Sequence, residues 1–597
     1  MNRATQKLLS IVFASLLLIS CDKKEKDAAP QKKLEPQKPA AVSMLRLVPD
    51  DTVFFAGGLE PVPLKEWLQW TAAQFQLSKD MLNPQGMQEI SAQAKTDGQR
   101  MAAQLWEEYT ALVAAPDTQL AGWGFADKPQ MASYAIGLSP VLCRISLSDA
   151  EQFKKKIAEL ETKGKITAVK EETLGGAWFR RYAVSETAPS FKLIIGAADN
   201  EAVFLLDLGA DSEQTLALVF GQSKPEKSLE QSGRLKSLQE KHKLHPSMLG
   251  YIDHQQIAAG LTTKDGNRMA KMLQLLMPKF QEKEARQLNE LQSEGCRSEV
   301  QEIAAKWPQA FFGYTAFDLK AQPAKIDSLA VMESSDQPLL DGLKSLRGFV
   351  PDYTKPAFAP AVSSFALGLN VENVGPFLMK QWTEFTQKQR SCAPLKKMQE
   401  QVKASNPAAV SMAAGMAAGV RGMAFSLMSL RLEQTEGGAS PAPKEVDAVI
   451  SLSAKDPAAL VQTASAMLPQ LAALQIPADG SPVALPLPLP LPFTPMAAVN
   501  GSHLTVYAGQ KAEQIAKELG KSPLESSQGI LAGAVDYGRY YSLLSDAMKA
   551  LGKDDPKAAE AAAMLEAMKN AKMRVAMHVD FTDRGIEMRA NVTPTAE

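Results

Sequence analysis

The chain is short of the side chains that carry most enzyme chemistry. It has four cysteines and five histidines among 597 residues, and only 7% of it is aromatic. No HExxH, GxSxG or CxxC occurs in it, so the helical zinc pair, the nucleophile elbow and the redox dithiol are missing as sequence motifs. The histidines (His242, His245, His254, His503 and His578) are scattered. Only "HKLHP", with Asp253 and His254, gathers metal-type ligands, and it falls short of the three or four that zinc needs in tetrahedral array. Gly520-Lys521-Ser522 has the end of a phosphate loop, but Ile515 stands where its first glycine belongs. A formal net charge of −1 gives no overall basic footprint for nucleic acid. Carboxylates are plentiful, yet no pair is set apart by an apolar context. The sequence predicts no catalytic residue, metal or cofactor, and the chain reads as a non-enzyme.

Long apolar runs are also scarce, and the clearest is at the start. "MNRATQK" carries Arg3 and Lys7 and is followed by "LLSIVFASLLLI". A membrane-spanning helix needs roughly 20 apolar residues, so this stretch has the length of a signal-peptide core. Leu18-Ile19-Ser20-Cys21 closes it. These four residues resemble the lipobox of bacterial lipoproteins. The resemblance implies that residues 1–20 are cleaved off, that the Cys21 sulfur receives a diacylglycerol, and that the new amino terminus is acylated, commonly with palmitate. One acyl chain binds a bilayer only marginally, whereas two or three hold a protein there. Asp22 resembles the enterobacterial signal for staying in the inner membrane and favours that location, with the outer membrane open as the alternative. Residues 21–42 are charged, proline-bearing and poor in large apolar groups. They read as a disordered tether with a root-mean-square span of roughly 25 Å.

With Cys21 lipidated, at most one internal cysteine pair can form. Cys143, in the alternating "VLCRISL", reads as a small buried hydrophobe. Cys296 and Cys392 lie in polar, helix-like surroundings, and an oxidising periplasm would permit a bridge between them. The sequence leaves that pairing open.

The mature part repeats itself. Hairpin signals occur at Asp199-Asn200 and at Asn500-Gly501. Each is followed by a helical stretch, by "KSLEQS" or "KSPLESS", and by an apolar strand ending Gly-x-x-Asp: Gly250 to Asp253 and Gly533 to Asp536. Both aspartates read as helix N-caps, the first completed by Gln256 as a capping box. Alternation such as Met573 to Val579 predicts strands with one buried face. The expected fold is α+β, in two related halves, 43–352 and 353–597, each an antiparallel sheet with helices packed on one side. This pattern resembles duplicated α+β envelope proteins of uncharacterised function. The "MAAGMAAGVRGMAFSLMSL" segment (412–430) contains a GxxxG but also Arg421, and reads as a helix running into a strand. "ALPLPLPLP" places Pro486, Pro488, Pro490 and Pro492 at every second position. It reads as an edge strand stripped of donors on one side, with a polyproline II ridge as the alternative.

The expected role is that of a membrane-anchored lipoprotein facing the periplasm, a non-enzymatic binding or assembly module for an envelope protein or a hydrophobic ligand. Two alternatives stay open. One is a carrier or chaperone for lipids or hydrophobic segments, with a Met- and Leu-lined groove between the halves. The other is a hydrolase whose site is assembled from distant residues.

Overall fold

The structure, a computed structural model, describes residues 43–595 apart from 76–92, 138–140, 168, 186–190, 208–212, 322–323, 356–357, 359, 435–440, 468–475, 478, 486–491, 552–561, 563–564, 567 and 570. The fold is α+β, with helices packed against a large antiparallel sheet, to which each unit contributes the portion described below as its sheet. Its contacts divide the chain into two compact units. The first runs to Ser328 and includes Arg390–Leu395; the second comprises Leu329–Gln389 and Lys396 onward, with Gln74–Gln76 assigned to it.

The first unit contains β1 (Phe54–Gly57), β2 (Met131–Ala135), β3 (Val141–Ser146), β4 (Glu171–Leu174), β5 (Ala177–Ala183), β6 (Lys192–Ala198), β7 (Glu201–Asp207), β8 (Leu249–Asp253) and β9 (Gln309–Asp318). They pair in the order β4-β5-β6-β7-β3-β2-β1-β8-β9, antiparallel throughout. Asp199 and Asn200 sit at φ 49° and 59° between β6 and β7, as a type I′ hairpin turn requires.

Helices cover both faces of this sheet, where one side was expected. Helix α1 (Ala150–Lys163) sets Phe153 edge-on to Phe204 at 5.9 Å. Phe220, just past α2 (Glu213–Val219), stacks on Phe179 at 4.9 Å. Phe204 aligns with Cys143, and Phe179 aligns through Gly196 and Val203 with Arg144. Cys143 and Arg144 are consecutive in β3 and so point to opposite faces. The cause is visible in the strands: β2 is buried at all five positions and β7 at all but one. Such two-sided burial needs cover on both sides.

Asp253 caps α3 (His254–Thr262), accepting from the Gln256 amide at 2.8 Å. The Gln256 side-chain oxygen accepts from Asn267 Nδ2 at 2.9 Å, so that pairing stands where the second capping-box bond was expected. Ile257 and Leu261 of α3, with Met269 and Leu273 of α4 (Arg268–Leu276), pack on Val53, Phe54 and Ala135. Helix α5 (Glu294–Lys306) carries Cys296. Strand β10 (Lys325–Glu333) contains the unit boundary.

The second unit contains β11 (Gly348–Phe349), β12 (Ser363–Gly368), β13 (Val420–Gln434), β14 (Pro441–Ala454), β15 (Val483–Ala484), β16 (Met496–Asn500), β17 (His503–Ala508), β18 (Gln528–Gly529), β19 (Leu531–Asp536), β20 (Met573–Thr582) and β21 (Gly585–Pro594). The sheet order is β15-β16-β17-β14-β13-β12-β19-β20-β21, again antiparallel, and β11 pairs with β18. Asn500 pairs with His503, so the β16–β17 loop is Gly501-Ser502, one residue later than the sequence suggested. Gly501, at φ 55°, takes the first loop position, where a type II′ turn favours glycine. The proline-rich segment begins beside the edge strand: β15 pairs with β16, and the Leu485 amide donates to the Pro495 carbonyl at 2.8 Å. Pro486, Pro488 and Pro490 lie outside the described residues, so the edge-strand reading of that segment extends no further.

Helix α6 (Val371–Gln387) follows β12, and α7 (Ala408–Met416) runs through Gly419 at φ 92° into β13. Helix α8 (Gln510–Leu519) lays Ala512, Ile515, Ala516 and Leu519 over the core. Asp536 accepts from the Arg539 amide at 3.2 Å at the start of α9 (Tyr537–Leu551). No described helix is long and apolar enough to cross a membrane.

Candidate functional site

The strands at the centre of the second sheet share a simple alternation. "FALG" in β12, "MAFS" in β13, "ISLS" in β14 and "LAGAV" in β19 set a large apolar residue beside a small one. Residues two apart in a strand share a face, and cross-strand partners share it too. Pairing therefore sorts the large residues to one side. Ile450, Phe425, Phe365, Gly533 and Met577 are successive partners from β14 to β20. Two residues along, Leu452, Met423, Leu367, Leu531, Val579 and Met588 form a second row that reaches β21. Neither row contains a charged or hydrogen-bonding side chain.

This large-residue face is the open one. Phe365, Met423, Phe425, Ile450, Met577 and Met588 are between 36% and 52% exposed, and the leucines and Val579 between them are half-buried. The opposite face carries the small and hydroxyl residues and is closed. Ala366, Ala424 and Ala532 are buried in one cluster with Phe349, Val350 and Tyr353. Ser364, Ser426, Ser451, Ser453 and Thr505 are buried with them. Tyr353 and Ser451 share a hydrogen bond at 2.7 Å, and Thr505 donates to the Ala498 carbonyl at 3.3 Å, whereas the Ser364 hydroxyl is buried without a partner among the described residues.

Gly533 makes a dimple in the open face. A Cβ there would lie 3.0 Å from the Ser364 carbonyl oxygen and 3.9 Å from the nearest atom of the Phe365 ring. The glycine of the other Gly-x-x-Asp phrase, Gly250, is filled over. A Cβ at Gly250 would fall 2.5 Å from the Phe312 ring, and Phe312 is its own cross-strand partner. Met577 holds the partner position at Gly533 and leaves the space free.

A separate pocket of about 270 Å³ in the same unit is lined by Asp352, Tyr353, Phe358, Ile515, Glu518 and Leu519 together with Ser522. Burial raises the Tyr353 hydroxyl pKa, and its hydrogen bond goes to Ser451, so this hydroxyl is not an activated one.

Two serine–histidine pairs occur among the described residues. Ser247 Oγ lies 2.7 Å from His245 Nδ1, with Ser247 1% exposed and His245 half-buried. The second joins Ser453 to His503. Ser453 Oγ lies 2.9 Å from His503 Nδ1, and His503 Nε2 lies 2.8 Å from the Ser522 carbonyl oxygen. Burial pushes the imidazole below its ordinary pKa, against the Ser522 bond, which raises it. Both side chains are sealed in the core, at 1% and 0% exposure, so a substrate has no approach to this pair. His254, at the start of α3, bonds the Trp307 carbonyl through Nδ1 at 2.8 Å. No cluster of His, Cys, Asp or Glu that could hold a metal ion occurs among the described residues.

Cys21 and Asp22 lie outside the described residues. Cys296 and Cys392 are joined by a disulfide within the first unit, both at 0% exposure. Glu299, one helical turn from Cys296, grips the same segment. It accepts from the Ser391 amide at 2.5 Å, the Ser391 hydroxyl at 2.8 Å and the Cys392 amide at 3.3 Å. Burial alone would raise the Glu299 pKa, but these bonds and Arg390 outweigh it and leave the carboxyl below its ordinary value. Cys143 is buried, and burial pushes its thiol up to about 12, which makes it an inert packing residue.

Sequence reasoning did not single out the open face. Its signal was the large/small alternation itself, since small residues at every second position suit close approach by a helix as well as they suit solvent. Compared with family models, curated proteins and solved structures, the chain matches none.

Proposed function

We propose that this chain is a lipid-anchored envelope protein facing the periplasm, in which the second unit serves as a non-enzymatic binding module through its open apolar sheet face. One observation carries the reading: two in-register rows of uncharged apolar side chains cross five or more strands and stay open to solvent. Monomers rarely leave contiguous apolar patches of more than a few hundred Å² exposed unless the patch is used. The anchor rests on Leu18-Ile19-Ser20-Cys21, with Asp22 favouring the inner membrane. The binding reading is preferred over hydrolysis because both serine–histidine pairs keep the serine in the core, Ser247 and Ser453 each at 1% exposure, where a substrate has no approach.

Two halves of the chain, 43–352 and 353–597, are read as copies of one α+β fold, with the second copy's sheet lying in the second unit. The strand orders support this: 5-6-7-3-2-1-8-9 in the first and 15-16-17-14-13-12-19-20 in the second follow the same succession. The capping aspartates support it as well, since the Asp253 amide donates to the Val53 carbonyl at 2.8 Å and the Asp536 amide to the Val362 carbonyl at 2.9 Å.

The test is a photo-crosslinking amino acid placed at Phe365 or Met423 in the full chain and irradiated in cells. Adducts at these positions, absent from a control on exposed Lys236, are expected; a clean, unmodified chain would remove the reading. The anchor is tested separately. Mass spectrometry of the first mature peptide should show diacylglycerol on Cys21, and Cys21→Ser should move the chain from the membrane to the soluble fraction.

A further inference from the structure

We infer that the open face of the second sheet takes an acyl chain of a membrane phospholipid. This rests on the binding-module reading and specifies the occupant of the same face.

Area argues first. The six side chains that are more than a third exposed present roughly 500 Å² of apolar surface, taking about 200 Å² for each whole side chain. A stable protein–protein interface buries about 800 Å² per partner, so a second copy laid face to face falls short. An acyl chain does not. Each methylene exposes roughly 30 Å², and a chain of about 16 carbons carries roughly 500 Å² at that rate.

Chemistry argues second. The backbone amides and carbonyls of β12, β13, β19 and β20 pair within the sheet on both sides. The side chains of the two rows offer no donor or acceptor. An extended peptide lying here would leave its own amides without partners, and unmade hydrogen bonds of buried groups are costly. A polymethylene chain has no such groups to satisfy. Shape agrees. The rows run across the strands, and four strand spacings of about 4.8 Å give a length of roughly 19 Å. One leaflet of a bilayer core is about 15 Å thick. The dimple at Gly533, between Phe365 and Met577, interrupts the first row and lets a chain sink below the tops of the flanking side chains. The three methionines, Met423, Met577 and Met588, are unbranched and adapt to a flexible ligand.

The experiment uses the purified full-length chain with vesicles of phosphatidylethanolamine and phosphatidylglycerol that carry a diazirine in one acyl chain. After irradiation, adducts are mapped by peptide mass spectrometry. Adducts are expected on the peptides that contain Phe365, Met423 and Met577. They should fall about tenfold or more in Met577→Glu and in Phe365→Glu, because a carboxylate cannot be buried against hydrocarbon at small cost. Hydrogen exchange across β12–β13 keeps the comparison valid by showing that both variants are folded. Adducts confined to residues 1–42, or spread evenly over the surface, overturn the inference. So does loss of sheet adducts in neither variant. A polypeptide adduct at position 365 in cells, with no lipid adduct on the sheet, overturns the acyl-chain assignment and leaves the binding-module reading standing. No adduct of either kind removes both.

Discussion

Two neighbouring substitutions in β12 separate the observed packing from its inverse. Ala366 is fully buried, its cross-strand partners Ala424 and Ala532 are buried too, and Phe349 and Val350 with Tyr353 of the Asp352–Thr354 turn pack in the same cluster. Ala366→Leu adds three carbons where no space is open, and such overpacking typically costs about 1–3 kcal/mol. Phe365 is the next residue and is 46% exposed. Phe365→Leu removes roughly 30 Å² of apolar surface, about half of it buried, which corresponds to about 0.4 kcal/mol at 25 cal/mol per Å². The assay is native-state hydrogen exchange read on peptides from β12 and β13, since local opening energies isolate this sheet from the rest of the chain. A drop of about 1 kcal/mol or more in protection for Ala366→Leu, and little change for Phe365→Leu, is the expected pattern. The reverse order would mean that the large residues face the core, and the candidate site would then vanish.

Three further outcomes follow from the structure. Arg144 is fully buried, with Nε donating to the Tyr134 hydroxyl at 2.9 Å and Nη1 to Glu201 at 2.6 Å. Arg144→Ala should cost about 3–5 kcal/mol in a denaturant melt by leaving Glu201 buried without its principal partner, and Arg144→Met with Glu201→Leu should recover part of that loss. Cys296 and Cys392 are 96 residues apart in sequence, so the bridge contributes up to about 4.7 kcal/mol by the loop-closure model. Dithiothreitol or Cys392→Ser should lower the denaturant midpoint of the first unit, and an unchanged midpoint would refute this. Burial holds His503 and His578 below their ordinary pKa of 6.5. Below pH 6.5 the unfolded chain therefore binds protons that the folded chain does not, and stability falls as pH drops through that range. Exchange protection in β17 and β20 should decline between pH 7.5 and 5.5, and His503→Gln should flatten the part of that decline carried by β17.

Much of the local structure was legible along the chain. Asp253 and Asp536 announced helix starts, because a short carboxylate before an apolar helix can accept the first amides. Asp199-Asn200 announced a hairpin, because both residues tolerate positive φ. Gly501 marked the second hairpin but not its register, which differed by one residue because glycine suits two loop positions. The capping box at Gln256 was misread, since Asn267, eleven residues away, competes for the same side chain. Helices on both faces of the first sheet were missed, although runs such as "LIIG" and "AVFLL" lack the alternation of a one-sided strand.

The sequence by itself determined that β12, β13, β14 and β19 have two unlike faces, one of large apolar residues and one of small ones, because side chains alternate along any extended strand. It could not decide which face turns inward, since both are uncharged and each suits a core. The tertiary structure decided that. Helix α8 packs over β14, β16 and β17, while β11 and the Asp352–Thr354 turn pack over β12 and β13, both on the face of alanines and serines. The large residues were left outside, where a ligand can reach them. The Cys296–Cys392 pairing was undecided for a similar reason: nothing local links residues 96 apart until the chain between them has folded back.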